Sequence, residues 1–428
     1  MIKCLSMNTR FYNCKILTLC KDDEILKNCE LWVEENKIAY IGKPKESPIS
    51  FDREIDCNGN LVMPSFKNGH GHGIMTFCRS IADDLPLDKW LNEKIFPMEN
   101  NLDLKSCYWF YKLAIMEYLS SGISTSFEMY LIEKPMAENA IDTGFRTIIC
   151  GAINDFAQNP DEIEDMYKFY NSLSPLLSFE IGFHAEYTTS LDIMKKISTA
   201  SHNLKAPVFT HCAETENEVN GCIERHSKTP VELFDSLGLF DYGGGIFHGV
   251  HLTDKDIEIL KDKNVLTVTN PAANCKLSSG VADVCKLLEN NVPVALGTDG
   301  PGGNNALDMF REMYLVTALQ KIKTGNPQAL PPTDVLKMAC SALPKALHID
   351  NDCLSVGKLA DIIVIDLHQP NMQPVNNIAD NIVYSGSKSN VALTMVDGKI
   401  LYENGKFYID KDAELVYEKC NEAVKGLI

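Results

Sequence analysis

Leu61-Val62-Met63-Pro64-Ser65-Phe66-Lys67-Asn68-Gly69-His70-Gly71-His72 carries an apolar, strand-like run straight into two histidines one residue apart. Side chains on an extended strand alternate in direction, so His70 and His72 face the same way. Two imidazoles side by side at a strand end make half of a metal site. An isolated H-x-H pair is a weak sign. The remaining ligands must come from other strand ends.

Downstream the pattern becomes short apolar strands alternating with helices. Strands are expected over residues 61–66, 124–128, 146–150, 179–184, 207–211, 245–248, 265–269 and 293–298, with helices such as 106–120 and 253–261 between them. Eight such units in an α/β chain predict a (β/α)8 TIM-type barrel over residues 61–350, with its active site at the C-terminal strand ends. Residues 14–20, 30–33 and 37–41 read as short strands, and β character returns over 357–366 and 391–402, where Asp397-Gly398 is a hairpin signal. Residues 1–60 and 351–428 are therefore expected to meet in one small split β-sandwich domain.

Composition narrows the function classes. The chain has 428 residues, 45% hydrophobic and 23% charged, as in an ordinary globular enzyme. A formal net charge of -18 argues against nucleic acid or an anionic membrane as partner, since both require a basic face. The 15 cysteines show no regular spacing and read as reduced thiols. The N-terminal M-I-K-C-L-S-M-N-T-R has no signal-peptide pattern, and no apolar run approaches the ~20 residues of a membrane span. A cytoplasmic enzyme with a small-molecule substrate is expected, and base rates favour a homo-oligomer.

The strand ends supply the missing chemistry. His184, His211, His248 and Asp299 end or closely follow predicted strands, as His70 and His72 do. Asp299, in V-A-L-G-T-D-G-P-G-G, would by itself be a turn aspartate. With three histidines at matching strand ends, it can complete a metal site and accept a proton. Glu214 follows His211 by three residues in H-C-A-E-T-E, where a carboxylate can take a proton from an activated water and pass it to a leaving group. The alternative for Glu214 is a helix-start glutamate that only favours the macrodipole. His248, in F-H-G-V-H, is placed to hold the attacking water or developing charge. His184 can contact a substrate ring nitrogen or be a satisfied core histidine. His251 reads as packed or exposed, and His202, His226, His348 and His368 fall outside the pattern.

With these residues assembled, the chain resembles the amidohydrolase superfamily, and within it the methylthioadenosine/S-adenosylhomocysteine deaminase and chlorohydrolase group. The most specific segment is V-T-N-P-A-A-N-C-K-L-S-S-G-V-A over 268–282, joined by H-C-A-E-T-E, F-H-G-V-H-L-T-D, A-L-G-T-D-G and the C-terminal G-K-L-A-D-I-I-V-I-D. The resemblance implies His70, His72, His211 and Asp299 as ligands of one divalent metal, zinc or else iron. It implies Glu214 as proton shuttle, His248 as the catalytic histidine, Asp299 as a second catalytic group and His184 as a substrate contact. In D-L-P-L-D-K-W-L-N-E-K-I-F-P-M-E, it implies Trp90 packing on the base and Glu99 binding the ribose hydroxyls. The family usually reads P-G-x-V-N-x-H-T-H. Here Gly71 is expected to loosen the turn, and Lys67 is unusual in a buried segment.

The activity so implied is hydrolytic release of ammonia from the 6-position of an adenosine-type nucleoside. Members that accept S-adenosylhomocysteine offer arginines to its carboxylate, one near Cys150 and Gly151. This sequence has no arginine between Arg146 and Arg225. An unpaired carboxylate is poorly held, so methylthioadenosine, 5′-deoxyadenosine or adenosine is expected before S-adenosylhomocysteine. The rival readings are deamination of guanine or a pterin, triazine dechlorination on the same site, and a scaffold that has lost catalysis. Glu214 favours deamination, because ammonia leaves only after protonation and chloride does not. Retention of every proposed ligand argues against the scaffold.

Overall fold

The computed structural model of the protein describes residues 7–20, 24–81, 83–85, 89 and 91–427. Five strands come first, β1 (Thr9–Leu17), β2 (Ile25–Glu34), β3 (Lys37–Gly42), β4 (Arg53–Asp56) and β5 (Leu61–Pro64). Eight follow in alternation with helices: β6 (Phe66–Gly71), β7 (Ile123–Met129), β8 (Arg146–Cys150), β9 (Leu177–Gly182), β10 (Val208–Cys212), β11 (Gly244–His248), β12 (Val265–Thr269) and β13 (Val294–Leu296). The chain ends with β14 (Ile362–Ile365), β15 (Val391–Val396), β16 (Lys399–Glu403), β17 (Lys406–Phe407) and a last helix, Ala413–Val424.

Strands β6 to β13 pair in sequence order, all parallel. The ring closes where the backbone amides of Thr298 and Asp299 donate to the His70 carbonyl, at 3.1 and 3.0 Å. Every residue of β7, β8, β10 and β12 is buried. That is the mark of parallel strands covered on both faces. Phe127, Phe209, Phe247, Leu266, Val268 and Ala295 fill the barrel interior. The surrounding helices start on identifiable caps. Asp103 accepts from the Ser106 amide at the head of Leu104–Ser120, and Thr253 forms a capping box with Asp256 at the head of Asp254–Asp262.

The two chain ends build one nine-stranded mixed sheet, in the order β17-β16-β15-β14-β5-β1-β2-β3, with β4 beside β1. Its own core includes Phe11, Val33, Val62, Ile362, Val364 and Met395. The Asp397-Gly398 hairpin forms as expected, both residues at positive φ between β15 and β16.

The strand expected over 61–66 is corrected by the structure. Leu61–Pro64 is β5, parallel to β1 and antiparallel to β14, inside the nine-stranded sheet. The barrel starts at Phe66, after the single intervening residue Ser65 donates its amide to the Asp361 carbonyl at 3.1 Å. Both strands are buried throughout, so no change of periodicity marks the hand-over. Lys67 is fully buried, and its ammonium donates to the Ser65 carbonyl at 2.8 Å and hydroxyl at 3.2 Å, with Asp361 nearby. Among the described residues no helix is long and apolar enough to cross a membrane.

Candidate metal centre and active site

Four side chains converge at the C-terminal mouth of the barrel. His211 Nε2 lies 3.2 Å from His70 Nε2 and 3.3 Å from His72 Nε2. Asp299 Oδ1 lies 3.6 Å from His70 Nε2 and 3.3 Å from His72 Nε2. Ligand atoms arranged tetrahedrally about one ion at ~2.0–2.1 Å stand roughly 3.3–3.4 Å apart, so the spacing fits a single cation. The protonation pattern fits too. His72 Nδ1 faces the Met129 carbonyl at 2.5 Å, and His211 Nδ1 faces the His184 carbonyl at 2.7 Å. A carbonyl only accepts, so both Nδ1 atoms carry the hydrogen and both Nε2 atoms present bare lone pairs to the centre. Burial, then the neighbouring imidazoles, hold the His70 and His211 pKa values well below normal, which keeps both rings neutral. The His70 ring stacks on Phe247 with centroids 3.9 Å apart.

His248 ends β11 in the left-handed region, at φ 76°, and Asp299 has φ 58°. Non-glycine residues adopt this conformation when the surroundings impose it, and such strain gathers at functional sites. It turns both side chains inward. His248 Nδ1 is 2.8 Å from Asn274 Oδ1, leaving Nε2 facing the centre, 3.8 Å from Glu214 Oε2. A ring nitrogen of His248 lies within 4.8 Å of those of His70 and His211. Burial would lower the His248 pKa, but the Glu214 and Asp299 carboxylates and the Asn274 bond outweigh it and raise it.

Glu214 is buried beside the same space, and its Oε1 accepts from the Ser279 hydroxyl at 3.1 Å. The turn that carries it is held by Glu218, whose carboxylate accepts from the Ala213 and Glu214 amides, each at 2.8 Å. His184 lines the cavity with its Nδ1 2.9 Å from Thr188 Oγ1. Burial, then His72 and His248, push its pKa down to about 4.

These groups form one end of a cavity of about 510 Å³. Glu99 lines the same cavity and accepts from the Tyr130 hydroxyl at 2.7 Å. Burial raises its pKa, against the Tyr130 bond and His72. Leu131, Phe156 and Ala157 form part of the wall as well. No lysine or arginine lines the cavity among the described residues. Arg146 is bound to Asp361 at the other end of the barrel, and Arg225 forks onto Glu186. Trp90, expected to pack on a base, lies outside the described residues.

The structure thus brings His72, His184, His211, Glu214, His248, Asp299 and Glu99 to one cavity, with His70 fully buried against His211. Sequence reading missed Glu128, Glu218, Asn274 and Ser279. Glu218 carried a readable signal, since Thr215-x-x-Glu218 is a helix-start pattern and Thr215 does accept from the Glu218 amide. Asn274 and Ser279 lie in the segment 268–282 without a role that their types alone would assign.

The amidohydrolase family model matches residues 61–401. The chain is 38% identical over 379 residues to 5-methylthioadenosine/S-adenosylhomocysteine deaminase of Thermococcus sibiricus, covering 87% of this chain and 89% of that protein. It is 36% identical over 423 residues to 5′-deoxyadenosine deaminase of Methanosarcina acetivorans, covering 97% of each. An adenosine deaminase of Xanthomonas campestris, solved with bound zinc, superposes with a TM-score of 0.93 at 26% identity, over 98% of each chain.

Proposed function

Because the chain belongs to the amidohydrolase family, we propose that this C–N hydrolase removes the 6-amino group of an adenosine-type nucleoside whose 5′ substituent carries no negative charge. Methylthioadenosine, 5′-deoxyadenosine and adenosine fit that description, and S-adenosylhomocysteine fits it poorly. The observation that carries the reading is the cavity itself. A histidine–aspartate cluster and the Glu214–His248 pair stand at one end, the Glu99 carboxylate lines the same wall, and no lysine or arginine lines it among the described residues.

A divalent ion held by His70, His72, His211 and Asp299, zinc or else iron, would supply an acidified water and a Lewis acid. The protein's own groups do the rest. His248 Nε2 and Asp299 orient the attacking water. Glu214 takes one proton from it and gives that proton to a purine ring nitrogen, which makes C6 electrophilic as the water's oxygen bonds to C6. Glu214 then carries the second proton of that oxygen to the amino group, the C6–N bond breaks, and ammonia leaves. Water and the aminated ring become the 6-oxo ring and ammonia. The Ser279 hydroxyl holds Glu214 Oε1 and leaves Oε2 for this traffic. His184 contacts the ring and Glu99 the ribose hydroxyls, the latter because a half-buried carboxylate binds a diol through two charge-assisted bonds.

The test is a panel measuring ammonia release by purified, metal-analysed protein. Methylthioadenosine, 5′-deoxyadenosine or adenosine should be turned over, with kcat/KM for S-adenosylhomocysteine at least tenfold below the best of them. Turnover of guanine, a pterin or a chlorotriazine with none on any adenosine analogue would overturn the reading.

A further inference from the structure

We infer that Glu128 is a positioning residue of the metal centre, acting with Asn68 and the bare backbone of Gly71 to fix His72 and Asp299 in place. The inference rests on the metal-site reading above and goes beyond it, because none of these residues is a ligand.

Glu128 is the penultimate residue of β7 and its carboxylate is fully buried. It accepts from the Gly73 amide at 2.6 Å, the Tyr118 hydroxyl at 2.8 Å and the Ser126 hydroxyl at 2.5 Å. Gly73 directly follows His72. The next residue of β7, Met129, takes the Nδ1 hydrogen of His72 on its carbonyl. The end of β7 therefore grips this ligand twice, through its ring and through the peptide that follows it.

The same hydroxyls lead across the seam of the barrel. Asn68 Nδ2 lies 3.3 Å from both the Tyr118 and the Ser126 hydroxyl and donates to Thr298 Oγ1 at 2.9 Å, while Asn68 Oδ1 accepts the Thr298 amide at 2.8 Å. Thr298 directly precedes Asp299. One continuous buried network thus joins the His72 turn to the segment that carries Asp299.

Gly71 completes the arrangement. A Cβ there would lie 2.8 Å from the Tyr118 hydroxyl, 2.9 Å from Asn68 Nδ2 and 3.3 Å from Glu128 Oε1. Gly71 does not adopt a positive φ, so space and not backbone conformation demands the glycine. The turn expected to be loose is packed tight by the network.

The experiment measures Zn2+ affinity by competition with a chromophoric chelator, and the visible spectrum after Co2+ loading, for wild type, Glu128→Ala, Glu128→Gln and Gly71→Ala. Groups that orient metal ligands typically shift affinity by about 10–100-fold when lost. Glu128→Ala and Gly71→Ala should weaken Zn2+ by that range and alter the Co2+ bands, with Glu128→Gln in between. Asn351→Ala, at the opposite end of the barrel beside Asp361, should lower Tm and leave both readouts unchanged. If Glu128→Ala does not fold, Tyr118→Phe removes one bond of the network and should weaken Zn2+ about 3–10-fold. Folded variants with Zn2+ affinity within twofold of wild type and an unchanged Co2+ spectrum would overturn the inference and leave the metal site standing. A wild-type protein that takes up no stoichiometric Zn2+ or Co2+ would overturn the metal reading and this inference with it.

Discussion

Arg146, at the start of β8, donates through Nε and Nη2 to the two carboxylate oxygens of Asp361, at 3.0 and 3.3 Å, where the base of the barrel meets the nine-stranded sheet. Asp361 also accepts from the Asp397 amide at 2.7 Å and from Asn351 Nδ2 at 2.5 Å. Burial alone would raise the Asp361 pKa, but the guanidinium outweighs it and lowers it. Removing one partner of a buried, hydrogen-bonded pair leaves a charge without compensation. Arg146→Met should cost about 3–5 kcal/mol in urea denaturation of the metal-loaded protein. Arg146→Met with Asp361→Leu should lose less than Arg146→Met does by itself.

Glu214→Gln keeps the shape of the side chain and removes its ability to carry a proton. General acid–base groups contribute about 10²–10⁴-fold. The kcat for ammonia release should fall within that range while Zn2+ affinity stays within twofold of wild type. Undiminished turnover would end the proton-shuttle assignment.

Glu99→Ala should raise KM for nucleosides roughly 10–100-fold, as expected when hydrogen bonds to a charged partner are lost. The adenine base, which has no ribose, should show little change in its own KM. An equal change for nucleoside and free base would place Glu99 elsewhere in the reaction.

His184 sets a pH dependence whose sign follows from its folded pKa of about 4 against an ordinary 6.5. As pH falls, the unfolded chain binds the proton first. The contribution of His184 to stability is therefore complete above about pH 6.5 and is lost as pH drops toward about 4. The urea midpoint should decline across that window, and His184→Asn should flatten part of the decline.

The candidate ligands were legible in the sequence because a parallel barrel repeats one geometric place, the strand end, eight times. His70, His72, His184, His211, His248 and Asp299 all fall there, and each residue type has metal or proton chemistry of its own. Glu128 was not legible, because one of its donors is a backbone amide that any residue could supply and the others, Tyr118 and Ser126, reach it only in the fold, while Glu218 showed its helix-start pattern but not its grip on the Ala213 and Glu214 amides. Asn68 was hidden for a related reason, since its partners Tyr118, Ser126 and Thr298 are brought to it only by folding. The hand-over at Ser65 was invisible because both strands are buried on every residue, which leaves no alternation to mark where one ends. Lys67 looked out of place because its partner, the Ser65 backbone, carries no mark in a sequence.

The place of β5 between β1 and β14 has a consequence for synthesis on the ribosome. Leu61–Pro64 leaves the ribosome roughly 300 residues before one of its two neighbours, Ile362–Ile365. At ~5–20 residues per second, that edge waits on the order of fifteen seconds to a minute for its mate. The nascent barrel is made in the interval with its floor uncovered, so arrest of translation before β14 should leave a species that chaperones bind and proteases cut.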